Sequence, residues 1–469
     1  MKFVIVGGGI SGWLSALIFS HRQPNHEYVI VESSDINTIG VGEGTTGLFV
    51  QTIEELPDIN VAEFLRETKA TPKIGIEFNN WSGKGSTFFN PIDGTPTTNE
   101  DFDSFLYFTY TENPSLDTSS LHGLLKRKNK SPYTEKLKDY NSALHLDNKL
   151  TIQYLKSKSL KRKNIKYISD TVSKIQRDET GKVEKIICSN HIIEGDIFID
   201  CTGYSRIFSE KSDWVSFKDN LPMNSVTTFT RKHNVSMVTK ADKLNLGWCW
   251  QIPTQERVGC GYVSCDKWGN NVVDEIKSNY PDAEIVKSFK FDSGKLKKSW
   301  NQNVISLGLA YHFLEPLQAT NIHLTLVQID ILCQRCIRQT RDRTLNSNVI
   351  SIYNKHIDNL IEDFKNFINI HYSRDSRVSL TDYNKKIISL LKVRGLFFED
   401  LPQLYGCSGI GLWGHTLLGL NHLTKQECHN FLSEMNLYEE VKEISSELQT
   451  TFTNTPFLSY KELIKSLSI

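Results

Sequence analysis

The chain has 469 residues, 39% of them hydrophobic and 23% charged, and its 54 Lys and Arg are matched by 54 Asp and Glu. A length beyond that of one ordinary core predicts either a large module with an insertion or two interlocked domains. Net neutrality supplies no global field for nucleic acid or anionic membranes, and no apolar stretch reaches the roughly eighteen residues of a membrane helix, so a soluble protein acting on a small molecule is expected.

Lys2–Val6 (KFVIV) predicts a short buried strand, and Gly7-Gly8-Gly9-Ile10-Ser11-Gly12 follows at once, opening a helical pattern from Trp13 to Ser20. Gly7 permits the tight turn, Gly9 lets the backbone approach a pyrophosphate, and Gly12 lets the helix pack closely on the strand. The helix N-terminus then turns its N–H groups toward the phosphates, with Ser11 and Trp13 counted among the cofactor-binding residues. Tyr28–Val31 (YVIV) predicts a second buried strand ending at Glu32, about twenty residues past the glycines, where a carboxylate accepts hydrogen bonds from ribose hydroxyls.

Strand, glycine turn, helix and acidic residue together predict a bound dinucleotide, without separating FAD from NAD. Asp196–Gly203 (DIFIDCTG) and Val304–Ala310 (VISLGLA, with Gly308) read as further apolar strands that would meet a long dinucleotide, which favours FAD.

Between these anchors, residues 83–120 are rich in Gly, Thr, Asn, Pro and Phe with little period and predict long loops. His145–Lys166 predicts a helix leading into a strand at Ile165–Ile168, and Val172–Glu194 a hairpin around Gly181. An antiparallel sheet over the cofactor is expected across about 216–298, and helices at Val349–Ile370 and Lys425–Leu448. The basic stretches Leu124–Lys130 and Lys156–Lys166 read as solvated helix faces. Nine cysteines without framework spacing predict a reducing, cytoplasmic setting. Cys333 and Cys336 lie in an apolar helical pattern and read as packing residues, and Cys260 and Cys265 lack zinc-site partners, so no metal is expected.

Trp248-Cys249-Trp250-Gln251-Ile252-Pro253 reads W-x-W-x-I-P. Two aromatics one residue apart on a strand share a face, and Pro253 stiffens the exit, which makes a bulky wall. With Gly40-Val41-Gly42-Glu43-Gly44-Thr45, Lys73 within Thr71–Trp81, and Phe313–His323 (FLEPLQATNIH), the chain resembles the flavin-dependent halogenases of the tryptophan type from residue 1 to about 330.

The resemblance implies an α/β fold: a two-part, Rossmann-like FAD module of the hydroxylase and halogenase kind over residues 1–335, with an inserted substrate-facing sheet, and a mainly helical substrate region over 336–469. It implies reduced FAD supplied by a separate flavin reductase, Gly42, Glu43 and Thr45 near the flavin, and halide held by the backbone N–H groups of Thr320 and Asn321. Hypohalous acid would pass the Trp248/Trp250 wall to Lys73. There an ammonium hydrogen-bonds it, or an amine forms a haloamine, and an electron-rich, indole- or phenol-like aromatic attacks the halogen.

Two departures stand out. Gln318 occupies the place of the family's glutamate, and an amide cannot act as a base near neutral pH, which leaves it a positioning role and leaves Glu315 open as a replacement. The family's aromatic C-terminal run is replaced by His371-Tyr372-Ser373-Arg374-Asp375-Ser376-Arg377-Val378, so the resemblance does not carry tryptophan over as substrate. The competing expectations are a flavin monooxygenase that inserts oxygen without halide and a non-catalytic FAD-binding protein. A homo-oligomer is left open.

Overall fold

The computed structural model describes residues 1–467 apart from 37–41, 94–101, 233, 235, 338–345, 397–399 and 403–408. Gly40 and Val41 of the glycine-rich motif therefore lie outside the described residues.

Apolar residues on both sides of a strand call for cover on both faces, and the first strand has it. Lys2–Val6 lies inside a six-stranded sheet between Ile197–Asp200 and Glu27–Glu32, parallel to both. Phe3 and Ile5 pack into the main core with the Ile10–Arg22 helix, while Val4 and Val6 face a smaller cluster with Val29, Val31 and Phe198. Ile165–Ser169 continues the sheet on one edge and Val304–Ser306 and Trp300–Asn301 on the other. The predicted strand at Val304–Ala310 thus keeps only its first three residues, because the chain turns into a single tight turn at Gly308–Ala310.

The predicted sheet across 216–298 is present and larger than expected. Its seven strands run in the order Glu284–Lys290, Ser225–Arg231, Val258–Ser264, Gly247–Pro253, Val238–Lys243, Gly75–Asn79 and Thr87–Pro91. Val238–Lys243 and Gly75–Asn79 pair in parallel, so strands from far upstream complete it.

Residues 83–120 are not mainly loop. Phe102–Glu112 is a helix whose Phe105, Leu106, Tyr107, Phe108 and Tyr110 are all buried, so its apolar residues surround it and leave no period to read. His145 belongs to the strand Ala143–Leu146, and the helix begins only at Asn148, capped by Asp147. Lys425–Leu448 is two helices, separated where Asn436 turns left-handed at φ 56°.

The basic stretches are not freely solvated either. Lys126 pairs with Glu77 at 2.8 Å and Asp117 at 3.0 Å, Lys156 with Glu32 at 2.5 Å and Lys158 with Glu63 at 2.8 Å. The C-terminal helices share one core with the N-terminal module: Phe364, Phe367, Trp413 and Leu463 belong to the same cluster as Trp13 and Phe49. No helix of the described residues is long and apolar enough to cross a membrane.

Candidate active site

Gly7 adopts φ 120°, and Cβ atoms at Gly7 and Gly12 would collide with the carbonyl oxygens of Cys201 and Gly7, respectively. Glycine is therefore dictated by backbone on backbone. Gly8 lies against the Glu32 carboxylate, whereas nothing approaches the position a Gly9 Cβ would take. That opening beside a helix N-terminus fits a pyrophosphate, and Glu32 at the end of its strand fits the ribose.

Glu32 is held by Lys156, whose ammonium also lies over the rings of Trp13 and Tyr167. Trp13 is a correction to the sequence reading. It is fully buried behind the turn, packs on Tyr167 and is not part of the cavity wall. Gly308 is likewise behind the wall, at φ 56°, where its missing Cβ admits the Ser11 hydroxyl and so joins the late strand to the first turn.

One cavity of about 470 Å³ begins at Gly9, Ser11 and Glu32, passes Gly42 and Glu43, and ends among Lys73, Trp248, Trp250, Gln318 and Asn321. Its extent beyond the nucleotide turn fits the flavin half of FAD. Burial raises the Glu43 carboxyl, which accepts a hydrogen bond from Asn148 Nδ2 at 2.6 Å.

Lys73 ends the short strand Thr71–Lys73 and is 1% exposed, with its Nζ donating to the Thr45 carbonyl at 3.0 Å. A Cβ at Gly44 would sit 3.2 Å from Lys73 Nζ and 3.4 Å from Ala319 Cβ. Gly44 is thus the point where the glycine-rich loop, the lysine strand and the Phe313–Asn321 turn meet, and a larger residue would separate them. Thr45 acts through its backbone and buried hydroxyl rather than by facing the cavity.

His145, which the sequence reading missed, lies beside Lys73. Thr71 gives its hydroxyl proton to the Pro253 carbonyl, so it accepts from His145 Nδ1–H, and Thr239 donates to Nε2. Burial first, and the Lys73 charge second, push His145 well below the usual imidazole range, so the lysine has a neutral neighbour. Pro253 does not line the cavity; its carbonyl ties the wall strand to Thr71.

Trp248 and Trp250 both line the cavity, with ring centroids 6.1 Å apart, while Cys249 between them faces a different cluster with Phe229 and Tyr280. Trp250 lies over Gly261, its partner in register, whose Cβ would overlap the indole.

The turn before the Thr320–Ile331 helix is unusual. Gln318 (φ 65°) and Ala319 (φ 57°) are consecutive left-handed residues without being glycine, a conformation that costs roughly 1 kcal/mol or more per residue. Tertiary contacts hold it. Asn321 brackets the Leu314 backbone through its side-chain amide, Gln318 Nε2 lies 3.0 Å from His371 Nε2, and the Tyr372 hydroxyl donates to Glu315. The helix N-terminus at Thr320 and Asn321 carries backbone N–H groups without intrahelical partners, and Asn321 reaches the cavity wall while the Thr320 side chain is buried behind it.

Glu315 is fully buried, and burial pushes its carboxyl up to about 7. It is not part of the cavity wall, which speaks against its replacing the family glutamate in contact with substrate. In the divergent segment, Asp375 pairs with Arg377 at 2.7 Å and Lys243 at 3.2 Å, and Arg377 stacks on Trp268. His371 and Tyr372 could have been flagged only by opening that segment, since their partners are more than fifty positions away. Among the described residues no cluster of His, Cys, Asp and Glu is placed to hold a metal ion.

A mostly parallel sheet with a glycine turn at a helix N-terminus opens into a cavity lined by two tryptophans and a buried lysine, which fits the class of flavin-dependent enzymes. The Tryptophan halogenase family model matches residues 2–405, and the chain belongs to that family. It is a flavin-dependent halogenase. Its sequence is 25% identical over 409 residues to tryptophan 7-halogenase RebH of Lentzea aerocolonigenes, covering 79% of this chain and 76% of that protein. Its fold is similar to that of a tryptophan halogenase from Shewanella frigidimarina, with a TM-score of 0.85, 21% identity and coverage of 100% and 97%. It is also similar to BrvH, a flavin-dependent halogenase from Brevundimonas sp. BAL3, with a TM-score of 0.82, 22% identity and coverage of 99% of each chain.

Proposed function

We propose that this halogenase acts on an electron-rich, indole- or phenol-like small molecule through Lys73, with halide held at the amides of Thr320 and Asn321. Bound reduced FAD, replenished by a separate flavin reductase, would supply with dioxygen the two-electron oxidation that turns halide into hypohalous acid. Gly7, Gly9, Ser11 and Gly12 would shape the phosphate site, Glu32 would take the ribose, and Gly42 and Glu43 would flank the ring system.

The residues then handle what is produced. Trp248 and Trp250 keep substrate from the flavin side, and the largely apolar passage limits loss of oxidant to water. Lys73 either donates a hydrogen bond to hypohalous acid or, as the amine, takes up the halogen and releases water. The aromatic carbon attacks the halogen, and the ring proton leaves to water, since Gln318 has no useful affinity for it. The meeting of Lys73, Gly44 and Ala319 supports this reading, because it brings the lysine close to the turn that precedes Thr320 and Asn321.

The test combines the purified protein with FAD, a flavin reductase and NADH, and follows indoles and phenols with chloride, bromide or iodide by mass spectrometry. Halogenated product that disappears in Lys73→Ala supports the proposal. Oxygenated product without halide would overturn it, and FAD binding without any product across the panel would place the substrate outside the indoles and phenols.

A further inference from the structure

The family glutamate is replaced by Gln318, and the structure shows what that amide faces. His371 is fully buried, with its Nδ1 at 2.9 Å from the Phe367 carbonyl. A carbonyl only accepts, so Nδ1 carries the ring proton. Burial pushes the imidazole down to about 4, against smaller upward pulls from the backbone of Phe367 and Ile368, and no charged side chain among the described residues counters it. The rings of Phe78, Trp81 and Phe367 enclose it at 5.1, 6.0 and 5.2 Å. His371 is therefore neutral, and its Nε2 presents a lone pair to Gln318.

Only a donor is compatible with that lone pair, and an amide NH2 is a donor. A carboxylate in the same place would face it oxygen to nitrogen, both as acceptors, unless the ring took up a proton. The next residue grips the other end of the turn, since the Tyr372 hydroxyl donates to Glu315. Two adjacent side chains at the end of the Ser347–Ile370 helix thus hold the segment whose Gln318 and Ala319 are left-handed.

We propose that His371 is the positioning residue for Gln318: the neutral imidazole fixes the amide NH2, so that the amide carbonyl oxygen is the end presented to the cavity, where it accepts a hydrogen bond from the O–H of hypohalous acid. Gln318 and His371 form a matched pair. The reaction then needs no ionisation at position 318, and a glutamate placed there alone does not recreate the family site. This rests on the cavity being the halogenation site, whereas the state of the His371 ring does not.

The two are tested separately. Nitrogen-15 NMR of histidine-labelled protein, without turnover, is expected to show His371 neutral with its proton on Nδ1 from pH 5.5 to 8.5, and protonated over part of that range in Gln318→Glu. A wild-type ring that titrates in this range, or carries its proton on Nε2, would overturn the pair. In turnover, kcat should show no ionisation from position 318 in wild type and gain one in Gln318→Glu.

His371→Leu should lower kcat about tenfold, the weight of one well-placed hydrogen bond, with KM for the aromatic substrate little changed. His371→Gln, which restores an acceptor, should recover most of that loss. Equal activity of the Leu and Gln variants would mean that His371 only fills space. An unchanged pH profile in Gln318→Glu would remove the proposed role of the amide in turnover, even with the NMR result intact.

Discussion

The two turns that flank the cavity are built on opposite principles. At Gly7–Gly12 collisions of backbone with backbone dictate glycine at Gly7 and Gly12, while Gly9 leaves open space beside them. At Glu315–Asn321 the chain adopts left-handed geometry at Gln and Ala, and side chains from a distant helix hold it there. The first turn carries its instructions locally. The second borrows them, which makes it open to retuning by changes elsewhere.

The variant expected to do most is Lys73→Ala, which should lower halogenation about 1,000-fold while leaving FAD affinity within about threefold, measured by turnover and by flavin fluorescence. If both fell together, the lysine would belong to cofactor binding instead of to the far compartment. Gly12→Ala sharpens the local side of the comparison. The added methyl would collide with the Gly7 carbonyl, so a loss of about 3 kcal/mol in urea unfolding and of flavin retention is expected.

For the borrowed turn, Glu315 gives a pH signature. Its folded carboxyl sits at about 7, above the 4.5 of an unfolded glutamate. The folded form therefore binds that proton more tightly, and this contribution to stability is present below about pH 4.5 and lost as pH rises to about 7. Glu315→Gln keeps an acceptor for Tyr372 without the ionisation. Relative to wild type it should gain roughly 3 kcal/mol between pH 4.5 and 8, read from urea unfolding of the FAD-free protein. Parallel pH curves for the two proteins would show that Glu315 is not held protonated.

The smallest effect is expected from Lys156→Met. It frees Glu32 from its ion pair and should weaken FAD about threefold, measured by titration.

Legibility in the sequence follows the same division. Gly7, Gly9, Gly12 and the Trp248/Trp250 alternation were readable because each rests on spacing of two to a few residues or on a local turn, and Glu32 because it ends the very next strand in the chain. Lys73 was readable only through the resemblance, since a single buried lysine on a three-residue strand carries no periodic signal. Trp13 was misread because lying next to a phosphate turn does not decide which way a side chain points along a helix. Lys156 and Lys126 were misread as solvated because partners at Glu32 and Glu77 are remote in sequence. The Phe102–Glu112 helix was missed because aromatic cover all round erases the amphipathic signal. Gln318 was legible as a substitution, but its meaning depends on His371, and no periodicity links positions 53 apart.

The gap in chain order between the Glu315–Asn321 turn and its two holders has a consequence for biosynthesis. A ribosome that has released Glu315–Asn321 has still to make the whole Ser347–Ile370 helix before His371 and Tyr372 exist. A nascent or truncated chain can already own its nucleotide turn while the turn facing Lys73 lacks its anchors. Assembly order would then act as a safeguard, since the cavity wall is finished only after most of the polypeptide has emerged.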